Sequence, residues 1–107
     1  MATQKIIEKA DYLRNIKGNL KAAIKLLENS LAKGIEDLST KAVLLQKLGT
    51  LYRDIGETKK AYRVYQQALK LAQKDDYKIL AADILRCQSF LILKLKNNPK
   101  DAEKLRK

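Results

Sequence analysis

The chain has 107 residues, 46% of them hydrophobic and 33% charged, and its 23 Lys and Arg outweigh 12 Asp and Glu to give a net charge of +11. Such a length suits one domain with a real core, and such a balance excludes an intrinsically disordered segment. There is no His and a single Cys, which removes the commonest general base and metal ligand, any internal disulfide and any cysteine-built zinc site.

Only four Gly and one Pro punctuate a sequence rich in Ala, Leu, Lys and Gln, all good helix formers, and no alternating β-branched run occurs. An all-α fold of about six helices follows. The first is predicted from Ala2 to Ile16, where Ile6, Ile7, Ala10, Leu13 and Ile16 form an amphipathic stripe. Gly18 is placed to end it and Asn19 to cap the next helix, Leu20–Lys33, which buries Leu20, Ala23, Ile24, Leu27 and Leu31. Gly34 stops that one. Either Asp37 or Ser39 caps the third, Thr40–Ile55, which carries Val43, Leu44, Leu45, Leu48, Leu51, Tyr52 and Ile55. Gly56 closes it, and Thr58–Lys74 forms the fourth.

Asp75 and Asp76 then fall where carboxylates suit the free N–H groups at the start of a fifth helix. Its stripe is Leu80, Ile84, Cys87, Leu91 and Leu95, and Leu85, Ile92 and Leu93 widen the apolar surface to most of the circumference. A helix greasy nearly all round is either covered on several sides or open to a partner. Asn97, Asn98 and Pro99 mark the boundary of a short last helix, Pro99 to about Arg106. The linkers are short, so consecutive helices are expected to pack antiparallel.

Gly18 and Gly56 stand 38 residues apart, and Ile7, Ala10, Ala23 and Leu27 correspond at that offset to Leu45, Leu48, Ala61 and Tyr65. The chain therefore repeats itself. Within 42–73 the spacing is Leu45-x2-Leu48-Gly49-x2-Tyr52, then Ala61-x3-Tyr65-x2-Ala68. This pattern resembles the tetratricopeptide repeat, whose usual period of about 34 residues would be extended by one more turn of the second helix or by a longer linker around Lys33–Ser39. Leu45 replaces the family's usual first aromatic, and Gln73 its terminal proline. Glycine inside a helix costs about 1 kcal/mol against alanine, so Gly49 implies a close approach of the neighbouring helix, with Ala61 opposite. In the first repeat Asp11 and Arg14 stand where the small residue and the aromatic would be, which implies looser packing there.

The resemblance implies an α-solenoid of antiparallel hairpins in a single domain, 1–107. Its repeats are 4–37 and 42–75, followed by a divergent pair, 77–106. It also implies a concave groove lined by the first helix of each hairpin. Lys5, Glu8, Lys9, Tyr12 and Asn15 would contribute from the first repeat. Val43, Gln46, Lys47, Thr50, Arg53 and Asp54 would contribute from the second. Tyr77, Leu80, Ala81, Ile84 and Gln88 would extend the surface if the fifth helix continues the stack. Such a mixture suits an extended peptide. The subgroup that clamps C-terminal carboxylates with a Lys and an Asn in its first repeat is not matched, because Glu8 and Tyr12 hold those places.

No catalytic arrangement emerges. All four glycines have helix-boundary or packing roles, so there is no phosphate-binding loop, and the acid pairs Glu36/Asp37 and Asp75/Asp76 are explained by capping. Cys87 lies on the apolar stripe without a base. Neither a cofactor nor a metal is expected. No signal peptide is visible, since Thr3–Leu13 mixes Lys, Glu and Asp into its pattern. Tyr77–Leu95 is interrupted by charges and falls short of a membrane span, so a cytoplasmic protein is the default.

The expected function is a non-catalytic scaffold that binds a protein or peptide, with the fifth-helix stripe Leu80, Ile84, Cys87, Leu91 and Leu95 available for a homodimer. Two alternatives remain: a basic helical module on nucleic acid, and a regulatory domain of a larger protein. The first draws on the outer stripes Lys17, Lys21, Lys25 and Lys59, Arg63, Lys70, Lys74. Against it stands the ordinary reading of such charge as a solvated helix face.

Overall fold

Each hairpin is built from one amphipathic helix turning back on the next, and a computed structural model describes residues 2–16, 18–35, 37–74 and 76–96. Among these the elements are α1 (Ala2–Asn15), α2 (Leu20–Ala32), α3 (Leu38–Asp54), α4 (Thr58–Lys74) and α5 (Lys78–Lys96), with no strand. The expected sixth helix, Pro99–Arg106, and its boundary Asn97–Pro99 lie outside the described residues, as do Lys17, Glu36 and Asp75.

Local chemistry sets the boundaries. The Asn19 side chain accepts from the Ala22 N–H at the start of α2, as expected. At α3 the choice falls on Asp37, which accepts from the Thr40 N–H and hydroxyl, while Ser39 lies inside the helix and donates to the same carboxylate. These bonds hold the Asp37 carboxyl below its usual range, the Thr40 hydroxyl acting most strongly.

Gly56 closes α3 at φ 84°, with its N–H on the Arg53 carbonyl and that of Glu57 on Tyr52. Asp76 repeats this at the end of α4: it adopts φ 53°, donates to the Gln73 carbonyl, and Tyr77 donates to Ala72. Asp76 therefore terminates α4 in the left-handed conformation that favours glycine, and does not cap α5 as its sequence position suggested. Tyr77 precedes α5 directly, its carbonyl accepting from Ala81.

Antiparallel packing in chain order follows from the short turns. α3 and α4 are in the most extensive contact, α5 lies on α4, α1 on α2 and α2 on α3, whereas α1–α3 and α3–α5 meet sparsely. The core runs through all five helices, with Leu27, Leu44, Leu51, Tyr65, Ile84 and Leu91 as its largest fully buried side chains.

Gly49 does mark a close approach, but Tyr65 fills it and not Ala61. A Cβ added there would lie 2.8 Å from two Tyr65 ring carbons, and its three nearest atoms would all belong to that ring. The Tyr65 ring packs against α3 at Gly49, and its hydroxyl reaches the Thr50 hydroxyl at 2.8 Å. Burial pushes the Tyr65 phenol up from its usual pKa. One turn on from Gly49, Tyr52 is 8% exposed and donates to the Glu28 carboxylate of α2, with the Lys60 ammonium 5.7 Å from its ring centroid.

Candidate functional site

The sparse α1–α3 contact leaves an open seam. α1 carries Asp11 at the place that Gly49 holds in α3, and Arg14 at the place of Tyr52, and both reach across to α3. The Lys47 ammonium lies 3.3 Å from Asp11, and Arg14 Nε donates to Asp54 at 2.9 Å. Arg53 approaches the same Asp54 at 3.4 Å. Charged side chains of this length bridge the gap between α1 and α3 as an ion-paired cleft, and within the first hairpin α1 and α2 are in less extensive contact than α3 and α4, the looser packing expected of that repeat.

Between these pairs is a cavity of about 220 Å³. Its apolar lining comes from Ala10 of α1, Leu27 of α2 and Leu51 of α3. Asp11, Arg14, Gln46, Lys47 and Thr50 supply the polar lining. Helical spacing sorts the α3 residues: Lys47, Leu51 and Asp54 face α1, while Gln46 and Arg53 turn toward α5. There Gln46 Nε2 lies 4.0 Å from the Cys87 sulfur, and the Arg53 guanidinium stands 5.8 Å from the centroid of the half-exposed Phe90 ring. A strip of side chains thus runs from α1 over α3 to α5.

Of the residues expected to line a groove, Gln46, Lys47 and Thr50 come together at the cavity, with Arg53 and Asp54 on the same helix in the adjoining ion-pair cluster. Lys5, Glu8, Lys9, Tyr12 and Asn15 are exposed on α1 but do not line the cavity. Asp11, Arg14 and Ala10 do, one position round the helix. The signal was present, because Asp11 and Arg14 depart from the repeat pattern.

α5 is rotated relative to expectation. Leu80, Ala81, Ile84 and Leu91 are core residues, and Gln88 is 6% exposed and donates to Gln66 of α4 at 2.7 Å. They cannot extend a groove, and the self-association stripe of Leu80, Ile84, Cys87 and Leu91 is covered by the chain itself, Cys87 partly so. The Leu95 side chain lies outside the described residues. Cys87 and Phe90 take the position beside α3. The apolar residues left exposed are Ile79, Leu85, Phe90, Ile92 and Leu93. Val43 is half-buried against the core, and Tyr77 is exposed.

No group of three or more His, Cys, Asp and Glu among the described residues is placed to hold a metal, and no described helix is long and apolar enough to cross a membrane. Residues 44–76, which comprise most of α3, the turn and all of α4, match the family model for the tetratricopeptide repeat. The chain carries a repeat of that family within an all-α helical-repeat fold. Repeats of this kind are protein-interaction modules and typically serve as scaffolds. No curated protein and no solved structure matches the chain.

Proposed function

We propose that the chain is a non-catalytic interaction scaffold that holds an extended peptide segment of a protein partner along the α1–α3–α5 strip. The cavity over Ala10, Leu27 and Leu51, rimmed by Gln46, Lys47, Thr50, Asp11 and Arg14, carries this reading. Its volume suits one or two side chains of a peptide. The Gln46 amide is there to engage a peptide backbone, and the Asp11–Lys47 pair offers both charge signs. Because the rim charges are already paired, neighbouring residues of either sign are tolerated, and the apolar floor selects the inserted side chain.

Selection from a displayed library of random peptides tests this. Enriched peptides should lose at least tenfold in affinity on Lys47→Glu or on Thr50→Arg, which fills the cavity mouth, and keep it on Lys70→Gln. Peptides that bind both groove variants as well as wild type would place the site elsewhere.

The exposed face of α5 supports a second reading, self-association. Leu85 and Ile92 lie seven residues apart on one face, beside a cavity of about 320 Å³ that Ala72, Tyr77 and Ala81 help line. A second copy would cover them. Light scattering should then give a mass that rises with concentration and returns to monomer on Leu85→Lys with Ile92→Lys; a monomer at every concentration rejects it.

A further inference from the structure

α4 carries a surface that the groove does not use. Thr58–Lys74 contains five Lys and Arg and neither Asp nor Glu. At 100° per residue Lys59, Arg63, Lys70 and Lys74 fall within about 60° of arc and along about 22 Å of helix axis. Arg63, Lys70 and Lys74 are exposed, Lys59 is half-buried, and the exposed amides Gln66 and Gln67 fill the middle. Lys60, round the helix, pairs with Glu57 at 3.7 Å. Among the described residues, none of the four ridge cations makes an ion pair, in contrast to the groove, where Lys47, Arg14 and Arg53 all do.

We propose that this ridge binds the phosphodiester backbone of a nucleic acid without reading its sequence. Cations spaced one and two turns apart along a single ridge gain most from a polymer with a dense, regular charge, and a duplex presents one phosphate per about 1.7 Å of axis. Side-chain amides between the cations supply further donors to phosphate and sugar oxygens. The same face offers little to other anionic partners. A protein interface needs a desolvated apolar or aromatic centre, whereas every exposed α4 residue is Lys, Arg or Gln. A membrane-surface helix needs its apolar face free, and Ala61, Tyr65, Ala68, Leu69 and Ala72 are committed to the core. Without an exposed aromatic on the ridge there is no platform for base stacking, which leaves contacts to the backbone alone.

Fluorescence anisotropy with a labelled mixed-sequence duplex tests the proposal. Four phosphate contacts predict that affinity falls about a hundredfold between roughly 50 and 200 mM salt. Replacing all four cations (Lys59→Gln, Arg63→Gln, Lys70→Gln, Lys74→Gln) should abolish most of that dependence. If circular dichroism shows this variant unfolded, the doubles Lys59→Gln/Arg63→Gln and Lys70→Gln/Lys74→Gln should each remove about half of the slope. The charge-matched pair Lys33→Gln/Lys78→Gln should leave most of it. The proposal is overturned by absence of binding at about 50 mM salt, or by an equal effect of the Lys33/Lys78 pair, which would mean net charge alone. Equal or tighter binding of poly-glutamate or of phosphatidylserine vesicles would overturn it too, assigning the ridge to an acidic protein or a membrane.

Discussion

Gly49 is the residue on which the central hairpin depends most directly. A methyl group there would stand 2.8 Å from the ring of Tyr65, which is itself fully buried. Alanine would improve helix propensity by about 1 kcal/mol, but overpacking a rigid ring costs about 1–3 kcal/mol. Gly49→Ala should therefore destabilise by up to about 2 kcal/mol in urea denaturation. In a Tyr65→Leu background the same change should become neutral or stabilising, and a loss of equal size in both backgrounds would refute the ring contact. The sequence made Gly49 conspicuous but could not name its partner, because Ala61 and Tyr65 are one turn apart on the same face of α4.

Tyr52 illustrates residue-scale electrostatics. Burial chiefly, then the hydrogen bond to Glu28 and the negative charges of Glu28 and Glu57, push its phenol up to about 12 from the usual 10.0. The folded state thus keeps a proton that the unfolded chain releases. Tyr52 contributes its full stability below pH 10, and that contribution is lost as pH rises toward 12. Tyr52→Phe cannot ionise, so wild type should lose stability relative to this variant between pH 10 and 12. A stability difference that stays constant across that window would show the phenol to be unperturbed.

At the scale of elements, packing within the central hairpin and packing between hairpins use different cement. α3 meets α4 through a glycine–tyrosine contact, and α1 meets α3 through Asp11–Lys47 and Arg14–Asp54–Arg53. Partly exposed ion pairs contribute little stability and respond to salt. Asp54→Ala should cost about 0.5–1 kcal/mol at low salt and less at high salt, measured by urea denaturation at both. A salt-independent loss of several kcal/mol would mean that Asp54 supports the core.

The same scale shows where sequence reading succeeds. α1 to α4 each have one apolar stripe, so their limits could be read to within a residue or two and most of their inward faces with them, although Ile16 and Ile55, at the ends of their stripes, are exposed. α5 has apolar residues on nearly every side, and periodicity alone could not say which of them face α4. The stripe Leu80, Ile84 and Leu91 was identified correctly as continuous, yet it is the buried one, and the exposed surface is its complement. The cleft was legible only as an anomaly, since Asp11 and Arg14 break the repeat at the places where they bridge to α3.

Over the whole molecule, a linear stack of helices distributes stability unevenly. Repeat arrays are held by nearest-neighbour interfaces, and here the richest interface is α3–α4, with α1 resting mainly on α2 and α5 mainly on α4. Amides of α3 and α4 should then exchange with deuterium most slowly, and those of α1 fastest. Replacing the fully buried Ile84 by Ala removes packing worth about 2–5 kcal/mol, and should speed exchange in α5 well before α3. Uniform protection across all helices, or equal acceleration throughout in Ile84→Ala, would show a single cooperative unit instead. The proposed function would be coupled to this gradient, because the α1–α3 cleft has one firm wall, α3, and one yielding wall, α1. A peptide seated between them should slow exchange in α1 more than in α3, while a nucleic acid on the α4 ridge should leave α1 unchanged. The two surfaces can therefore be told apart on the intact chain by which helix each ligand protects.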